Sequence, residues 1–466
     1  MQRDEATTIR GLPGVVPPDP AALAADRAQL LAISALPWPR RALSFLARGG
    51  PAYLQSALTL GGGTASAAVL SGAAFGYELL WVAPLGMAIG VLMLAALAHQ
   101  TLSTGANPLA AMRAHAGAVY AWGWALGALI ASVIWHFPQY ALGAAVLADL
   151  GAGAGMELPR LPLGLAILAW SILSSQMYGS RARWMAWLER VVVLLVWATV
   201  VCFLVVVVAT GIPDWGALAR GFTAFSIPAP RGGVSGMELA LGGMAAAVVV
   251  NMVFLYPYSL LARGWGREHR QRARYDLGFG LFVPYVLAVS LVVIAMANTV
   301  HGSGEFAGRQ LSPVEAARCF TGVLGPELGR VLFDLGILGM VLTTVTMHMV
   351  CAGFACAELC GWPFGSWRHR LAMLLPAPGV LGSVLWQELS VYVAVPTSIL
   401  VGCLLPLVYV GILRLHRSRR YLGGDRPEGW RGRLWTAGMA LAILVVVAFL
   451  GWYVAAKRFG FLGASR

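Results

Sequence analysis

Gly61-Gly62-Gly63-Thr64 stands in the middle of the first membrane-length apolar run of this chain, residues 51–71. Glycine is the poorest helix former after proline, by about 1 kcal/mol per residue against alanine. Three in succession predict a broken helix. Inside a bilayer the N–H and C=O groups freed by a break have no water to pair with, so a break survives only where it faces protein or a polar cavity. Discontinuous helices near the bilayer midplane are where transporters hold their substrates. The plainer alternative is a close-packing glycine face, but packing glycines recur every three or four residues rather than consecutively.

The composition suits a membrane setting. The 466 residues are 59% hydrophobic and 11% charged, against about 25% charged in a soluble domain. An all-α polytopic membrane protein follows. Apolar runs of about 20 residues fall near 51–71, 79–98, 119–149, 161–178, 189–211, 239–261, 275–298, 329–357, 370–386, 390–414 and 434–456, giving 11 transmembrane helices. The third and eighth are long enough to tilt or project beyond the bilayer.

The net charge of +13 does not point to nucleic acid, because most arginines sit in short loops between spans. Arg113, Arg181, Arg183, Arg263, Arg267, Arg368, Arg370 and the run from Arg414 to Arg433 all follow even-numbered spans. With the arginines of the leading segment, they predict a cytoplasmic N-terminus and an external C-terminus by the positive-inside rule. The plasma membrane of a bacterium is the expected location. Residues 1–49 read as a cytoplasmic tail without a signal-peptide pattern. In it Asp19-Pro20 caps and opens a helix running to about Ile33, and Trp38, Arg40 and Arg41 form an interfacial lead-in. Residues 50–424 read as the transport core and residues 425–466 as the eleventh helix and C-terminus. The six cysteines lie mostly in apolar spans and read as packing residues; Cys356 and Cys360, four apart on one helix face, are the one pair suited to a soft metal.

Spans 1–5 and 6–10 make two sets of five. Five is odd, so the second set must be inverted. A 5+5 inverted repeat places a discontinuous helix first in each half, which predicts a second interruption in span 6. That span carries Asn251 at its middle and Pro257, which lacks an N–H and clashes with the preceding turn.

These residues resemble the NRAMP family of proton-coupled divalent-metal transporters, of LeuT fold within the APC superfamily. Gly50-Pro51-Ala52-Tyr53-Leu54 opens span 1 and Gly72-Ala73-Ala74-Phe75-Gly76-Tyr77-Glu78-Leu79-Leu80-Trp81 closes it, as the family's GPG-F/Y-L and GA-x-FGY-x-LLW do. Looser matches are Ser103-Thr104-Gly105, Ser312-Pro313-Val314-Glu315, Leu332-Phe333-Asp334-Leu335-Gly336 and Leu405-Pro406. The resemblance implies a LeuT-type fold with helices 1 and 6 discontinuous, and spans 1 and 6 rocking against spans 3, 4, 8 and 9. It also aligns sites that differ. The family's span 1 carries Asp-Pro-Gly-Asn, whose Asp and Asn ligate metal; Gly61, Gly62, Gly63 and Thr64 stand there. Its span 6 carries Met-Pro-His; Val249, Val250 and Asn251 stand there, and a second family histidine falls near Tyr256. A span 10 glutamine falls near Ser398. The span 3 acidic residue falls near Gln139 or Tyr140.

The expected substrate residues are therefore Gly61, Gly62, Gly63, Thr64, Val249, Asn251, Tyr256 and Ser398, with none of the family's usual metal ligands retained. Neutral oxygens do not readily offset the dehydration of a divalent ion. Intramembrane ionisable residues are coupling candidates. His136 and His348 are put forward, with Gln139 for its aligned position; a proline break at Pro138 is expected to expose polar groups beside His136. Asp334 lies near the outer end of span 8. Glu358, at the inner end, reads as a snorkelling or arginine-paired carboxylate. No Walker loop or HExxH pair is present, so an enzyme is not expected, nor a cofactor. The partners expected are a small solute or ion, the lipid bilayer and protons as coupling ion; the oligomeric state is not legible.

Three readings stay open. The first is a secondary transporter whose rebuilt site takes something other than a transition metal. The second is a divalent-metal transporter (Mn, Fe or hydrated Mg) with non-standard ligands. The third is a transport-inactive receptor or sensor on the same scaffold.

Overall fold

The computed structural model describes residues 19–46, 50–177, 203–301, 325–385 and 394–458, with single positions between 190 and 201 and at 306 and 308. The described elements are helices, apart from one isolated bridge between Arg231 and Val234. The first half of the span 189–211 is described only at single positions, and the stretch 312–317 lies outside the described residues.

Two helices precede the first span. In α1 (Pro20–Ser34) the Ala21 amide donates to Asp19 Oδ1 at 3.0 Å and Pro20 takes the first position, as the sequence predicts. In α2 (Trp38–Leu46) Ala42 and Phe45 are buried while Trp38 is exposed. Phe45 stacks on Tyr275 at 5.1 Å, which docks this leading segment onto the seventh span.

Span 1 is two helices, α3 (Pro51–Thr59) and α4 (Gly62–Phe75), parted at Leu60 and Gly61. There follow α5 (Val82–Thr104), α6 (Pro108–His115), α7 (Ala118–Gly153), α8 (Arg160–Met177) and the peripheral α9 (Trp215–Thr223). Span 6 is likewise two helices, α10 (Gly236–Ala247) and α11 (Val250–Ala262). Then come α12 (Arg267–His301), α13 (Pro326–Cys360), α14 (Trp367–Ala372), α15 (Ala394–Gly402), α16 (Leu405–Arg417) and α17 (Gly429–Arg458). Among the described residues seven helices are long and apolar enough to cross a membrane unaided; α3 and α4 are each too short and need one another.

Packing divides the helices into two bodies. The 36-residue α7 and the 35-residue α13 lie along one another and make the most extensive contact of the described elements. At 1.5 Å per residue each is about 50 Å long, well over a hydrocarbon core of about 30 Å. With α8 they form a scaffold. Against it stands α4, which packs on α10 and on α12, and both of these pack on α5.

Both expected interruptions are present, and the prolines do not make them. Val248 and Val249 are extended (φ −139°, ψ 102° and φ −87°, ψ 154°), in a run of β-branched valines whose stiff side chains favour that backbone. Pro257 lies inside α11 without breaking it. Pro138 also lies inside a continuous α7, so the break expected beside His136 is absent. Neighbouring helices re-satisfy a backbone carbonyl freed by proline.

The segment 370–386, expected as the ninth span, is no single helix. After α14 it runs through turns and a 3-10 stretch, Ala377–Leu381, into the short turn Gly382–Leu385. Pro376 and Pro378 stop the helix, and two glycines press the segment onto α7. A Cβ on Gly379 would lie 2.3 Å from His136 Cβ, and one on Gly382 would lie 2.1 Å from the Phe137 carbonyl oxygen. Glu358 takes the Asn107 amide at 2.8 Å rather than an arginine.

At the end expected inside the cell, charges tie the loops together. Asp26 of α1 meets Arg272 at 2.9 Å and His269 at 3.0 Å. Asp425, between α16 and α17, meets Arg267 at 2.5 Å and Arg270 at 2.8 Å. The hydrogen bond from Arg270 and the charges of both arginines hold the Asp425 carboxyl below the usual range. Its stabilisation is thus full above the ordinary carboxylate pKa and fades as pH falls through the lowered one. Asp425→Asn is expected to lower the unfolding temperature by a few degrees at pH 7, on the scale of about 1 kcal/mol for a partly screened pair. Unfolding scans of both proteins from pH 7 to pH 3 check this: the gap narrows toward acid.

Candidate substrate site

The two interruptions lie side by side. At the first, Leu60 (φ −83°, ψ 52°) and Gly61 (φ −98°, ψ 179°) leave the helix, so carbonyls at the end of α3 and amides at the start of α4 lose intrahelical partners. Two side chains take them up. The Gly62 amide donates to Gln139 Oε1 on α7 at 3.2 Å. The Thr64 hydroxyl makes a short hydrogen bond to the Thr59 carbonyl and lies 3.4 Å from the Ala246 carbonyl, near the end of α10. At the far end of α3, Asp276 Oδ2 accepts from the Ala52 amide at 2.9 Å. Thr64 thereby links the loose ends of both broken spans.

The scaffold answers with two pairs of residues four apart, Trp135 and Gln139 on α7 and Thr344 and His348 on α13. Residues at i and i+4 share a helix face, and both faces turn to the break. Each glycine of the triplet meets one of these side chains. A Cβ on Gly61 would lie 2.9 Å from Thr344 Oγ1, one on Gly62 2.9 Å from Gln139 Oε1, and one on Gly63 1.8 Å from Trp135 Cη2.

Between the parts is a cavity of about 10 Å³, bordered by Thr59, Gly61, Gly63, Thr64, Trp135, Gln139, Ala246, Val249, Thr344 and His348. That is close to the least space that holds one water. No carboxylate or sulfur side chain borders it. Among the described residues no three His, Cys, Asp or Glu side chains gather as a metal would need. Four helix ends converge here: the amide ends of α4 and α11, and the carbonyl ends of α3 and α10. The carbonyl ends carry the negative pole of the helix dipole. The Thr59 and Ala246 carbonyls, spanned by the Thr64 hydroxyl, lie at these negative ends, beside the positive amide ends of α4 and α11.

Of the expected substrate residues, Gly61, Gly63, Thr64 and Val249 border the cavity, and Gly62 is tied to its edge through Gln139. Ser398 on α15 is adjacent: its Oγ would be 3.0 Å from a Cβ on Gly63, and it donates to the Ala394 carbonyl at 2.7 Å. Asn251 is buried in the first turn of α11 with Oδ1 turned back to the Met252 amide at 3.1 Å, and its side chain is not on the cavity wall. Tyr256 is buried farther along α11 and also lies off the cavity. Of the coupling candidates, Gln139 and His348 border the cavity. His136 sits behind His348, with ring centres 5.6 Å apart and Nε2 3.1 Å from the Val345 carbonyl. Thr343 and Thr344 bond back to the preceding turn, as expected of threonines in a span. Sequence reasoning missed Thr59, Trp135 and Thr344 as cavity residues. Stepping back four positions from His348 and Gln139 would have found the last two.

The family model described as natural resistance-associated macrophage protein-like (Nramp) matches residues 52–456. The chain belongs to the Nramp family. A divalent metal cation transporter MntH from Agrobacterium fabrum is 25% identical over 430 residues, covering 88% of this Nramp chain and 86% of the relative. A crystal structure of a mutant manganese transporter from Eremococcus coleocola superposes with a TM-score of 0.71 at 16% identity, covering 91% of this chain and 89% of that one. Mhp1, a nucleobase-cation-symport-1 family transporter in a closed conformation, superposes with a TM-score of 0.57 at 16% identity, covering 88% and 93%. This Nramp protein is thus an integral membrane protein of LeuT-type fold.

Proposed function

We propose that the protein is a secondary-active transporter of a hard divalent cation that keeps part of its water, with Mg²⁺ as the test case, and that it binds no bare transition metal. The observation that carries this reading is the cavity wall. The aligned positions of the family's metal ligands, Gly61, Thr64 and Val249, surround one cavity and bring no charge and no sulfur to it. A hard cation that dehydrates reluctantly needs fewer protein ligands than a bare transition ion does, and the Thr59 and Ala246 carbonyls suit it. The divalent metal cation transporters among the relatives support an ion over an organic cargo. The N-terminus in the cytoplasm and the C-terminus outside follow from the arginine pattern.

His348 on the cavity wall favours a second reading, a transition-metal carrier with imidazole as its soft ligand. Uptake into proteoliposomes separates the two. The first reading expects Mg²⁺ uptake that exceeds Mn²⁺ uptake and persists in His348→Ala. The second expects Mn²⁺ uptake that His348→Ala abolishes. No uptake of either ion, with intact folding, overturns both in favour of a receptor or sensor.

A further inference from the structure

Ten residues along each scaffold helix from the cavity, toward the ends expected outside, two carboxyl groups meet. Asp149 lies about 6 Å of helix rise before the end of α7, and Asp334 about 12 Å after the start of α13. Asp334 is fully buried, and among the described residues no N–H or O–H donor reaches either of its oxygens. The group that meets it is the Asp149 carboxyl. Among the described residues the basic neighbour of Asp149 is Arg330, whose Nε lies 3.8 Å from Oδ2. Arg330 also reaches the exposed Glu327 at 3.5 Å. Helix α8, packed against both scaffold helices, has Arg160 at its first position as its sole ionisable residue. Residues 203–210, which touch α13 through Phe203 and Phe333, have none.

Two ionised carboxylates in contact repel each other, and neither can donate a hydrogen bond to the other. One proton between them removes both difficulties. It also leaves one negative charge to balance Arg330. We propose that Asp149 and Asp334 share one proton and form a proton-binding site at the outer end of the scaffold. Its use as the coupling site rests on the transport function proposed above; the shared proton does not. The register suits coupling, because the helices that carry the pair also carry Gln139 and Thr344, ten residues away on α7 and on α13.

Infrared spectroscopy of the purified full-length protein in nanodiscs tests the pair directly. The parent is expected to show a protonated-carboxyl C=O band at pH 7 that disappears in both Asp334→Asn and Asp149→Asn. Identical spectra in parent and variants overturn the proposal. So does a parent whose unfolding temperature rises with Ca²⁺ while that of Asp334→Asn does not, since the pair would then be a cation site. Size-exclusion profiles show whether each variant folds, and two variants guard against one that does not. In proteoliposomes, acceleration of Mg²⁺ uptake by an inward proton gradient is expected to be lost in Asp334→Asn; unchanged acceleration overturns the coupling use. A parent that takes up no Mg²⁺ overturns the function proposed above, while the infrared result still decides the pair.

Discussion

Gly61→Asp combined with Val249→Met is expected to convert a protein with weak Mn²⁺ binding into one that binds it at least about 100-fold tighter, or roughly 2.7 kcal/mol. The two positions border one cavity, and the substitutions supply what it lacks, an anionic oxygen and a soft sulfur. A carboxylate beside a divalent ion is worth far more in this water-poor setting than at a surface. Space is the main obstacle. A Cβ on Gly61 would lie 2.9 Å from Thr344 Oγ1, 3.1 Å from Thr344 Cγ2 and 3.2 Å from Gln139 Nε2. The end of Gln139 can turn aside to make room. Titration calorimetry with Mn²⁺ and Mg²⁺ on parent, single and double variants reads the result. Equal Mn²⁺ affinity in parent and double variant would show that the neutral wall is not what sets selectivity. Tight Mn²⁺ binding by the parent itself would sink the proposed function.

Gly72→Val is expected to cost about 3 kcal/mol or more, enough to remove most folded protein. Here α4 crosses α12 with backbone against backbone. A Cβ at this position would lie 2.3 Å from the Val293 carbonyl oxygen and 2.7 Å from Met296 Cβ. A carbonyl inside a helix cannot rotate away, so the helices must separate, and overpacking of this kind is costly. Gly451→Ala on α17 is the control. No atom lies within 4 Å of its Cβ position, and alanine is the better helix former, so its unfolding temperature is expected to hold or rise. Fluorescence-detected size exclusion and thermal unfolding read both variants. A well-folded Gly72→Val would mean that α4 and α12 do not pack as closely as described.

The fold was legible in the sequence to an unusual degree because its determining features are local. Consecutive glycines, apolar runs and arginine-bearing loops need no knowledge of distant contacts. The Asp19 cap and the first interruption appear where the residues put them. The second interruption was placed in the right span but credited to Pro257, when the extended Val248 and Val249 make it; a proline can be carried by a membrane helix, and an extended valine pair is weak evidence before its neighbours are known. The ninth span failed for the opposite reason. Pro376, Pro378 and Gly379 interrupt a stretch whose mean hydropathy reads as a helix. At the site, residues 61–64 were found from the helix break and Val249 by alignment with a family pattern, whereas Trp135 and Thr344 were not found, because a tryptophan or threonine in a span usually has a structural role. Asn251 and Tyr256 carry polar atoms on the right helix, but their side chains do not reach the cavity wall.

The glycine triplet has a kinetic consequence. In the transport cycle proposed above, the contact between the broken spans and the scaffold parts and rejoins, and so acts as a hinge-side bearing. Side chains locked into one another would make each separation pass through a strained, partly interleaved state. At residues 61–63 one surface is bare backbone, and Thr344, Gln139 and Trp135 lie directly against it. Few dispersion contacts are forfeited at the moment of parting. The barrier to opening should then reflect mainly the entry of water and the exchange of the Gly62–Gln139 hydrogen bond, not the unpacking of a core.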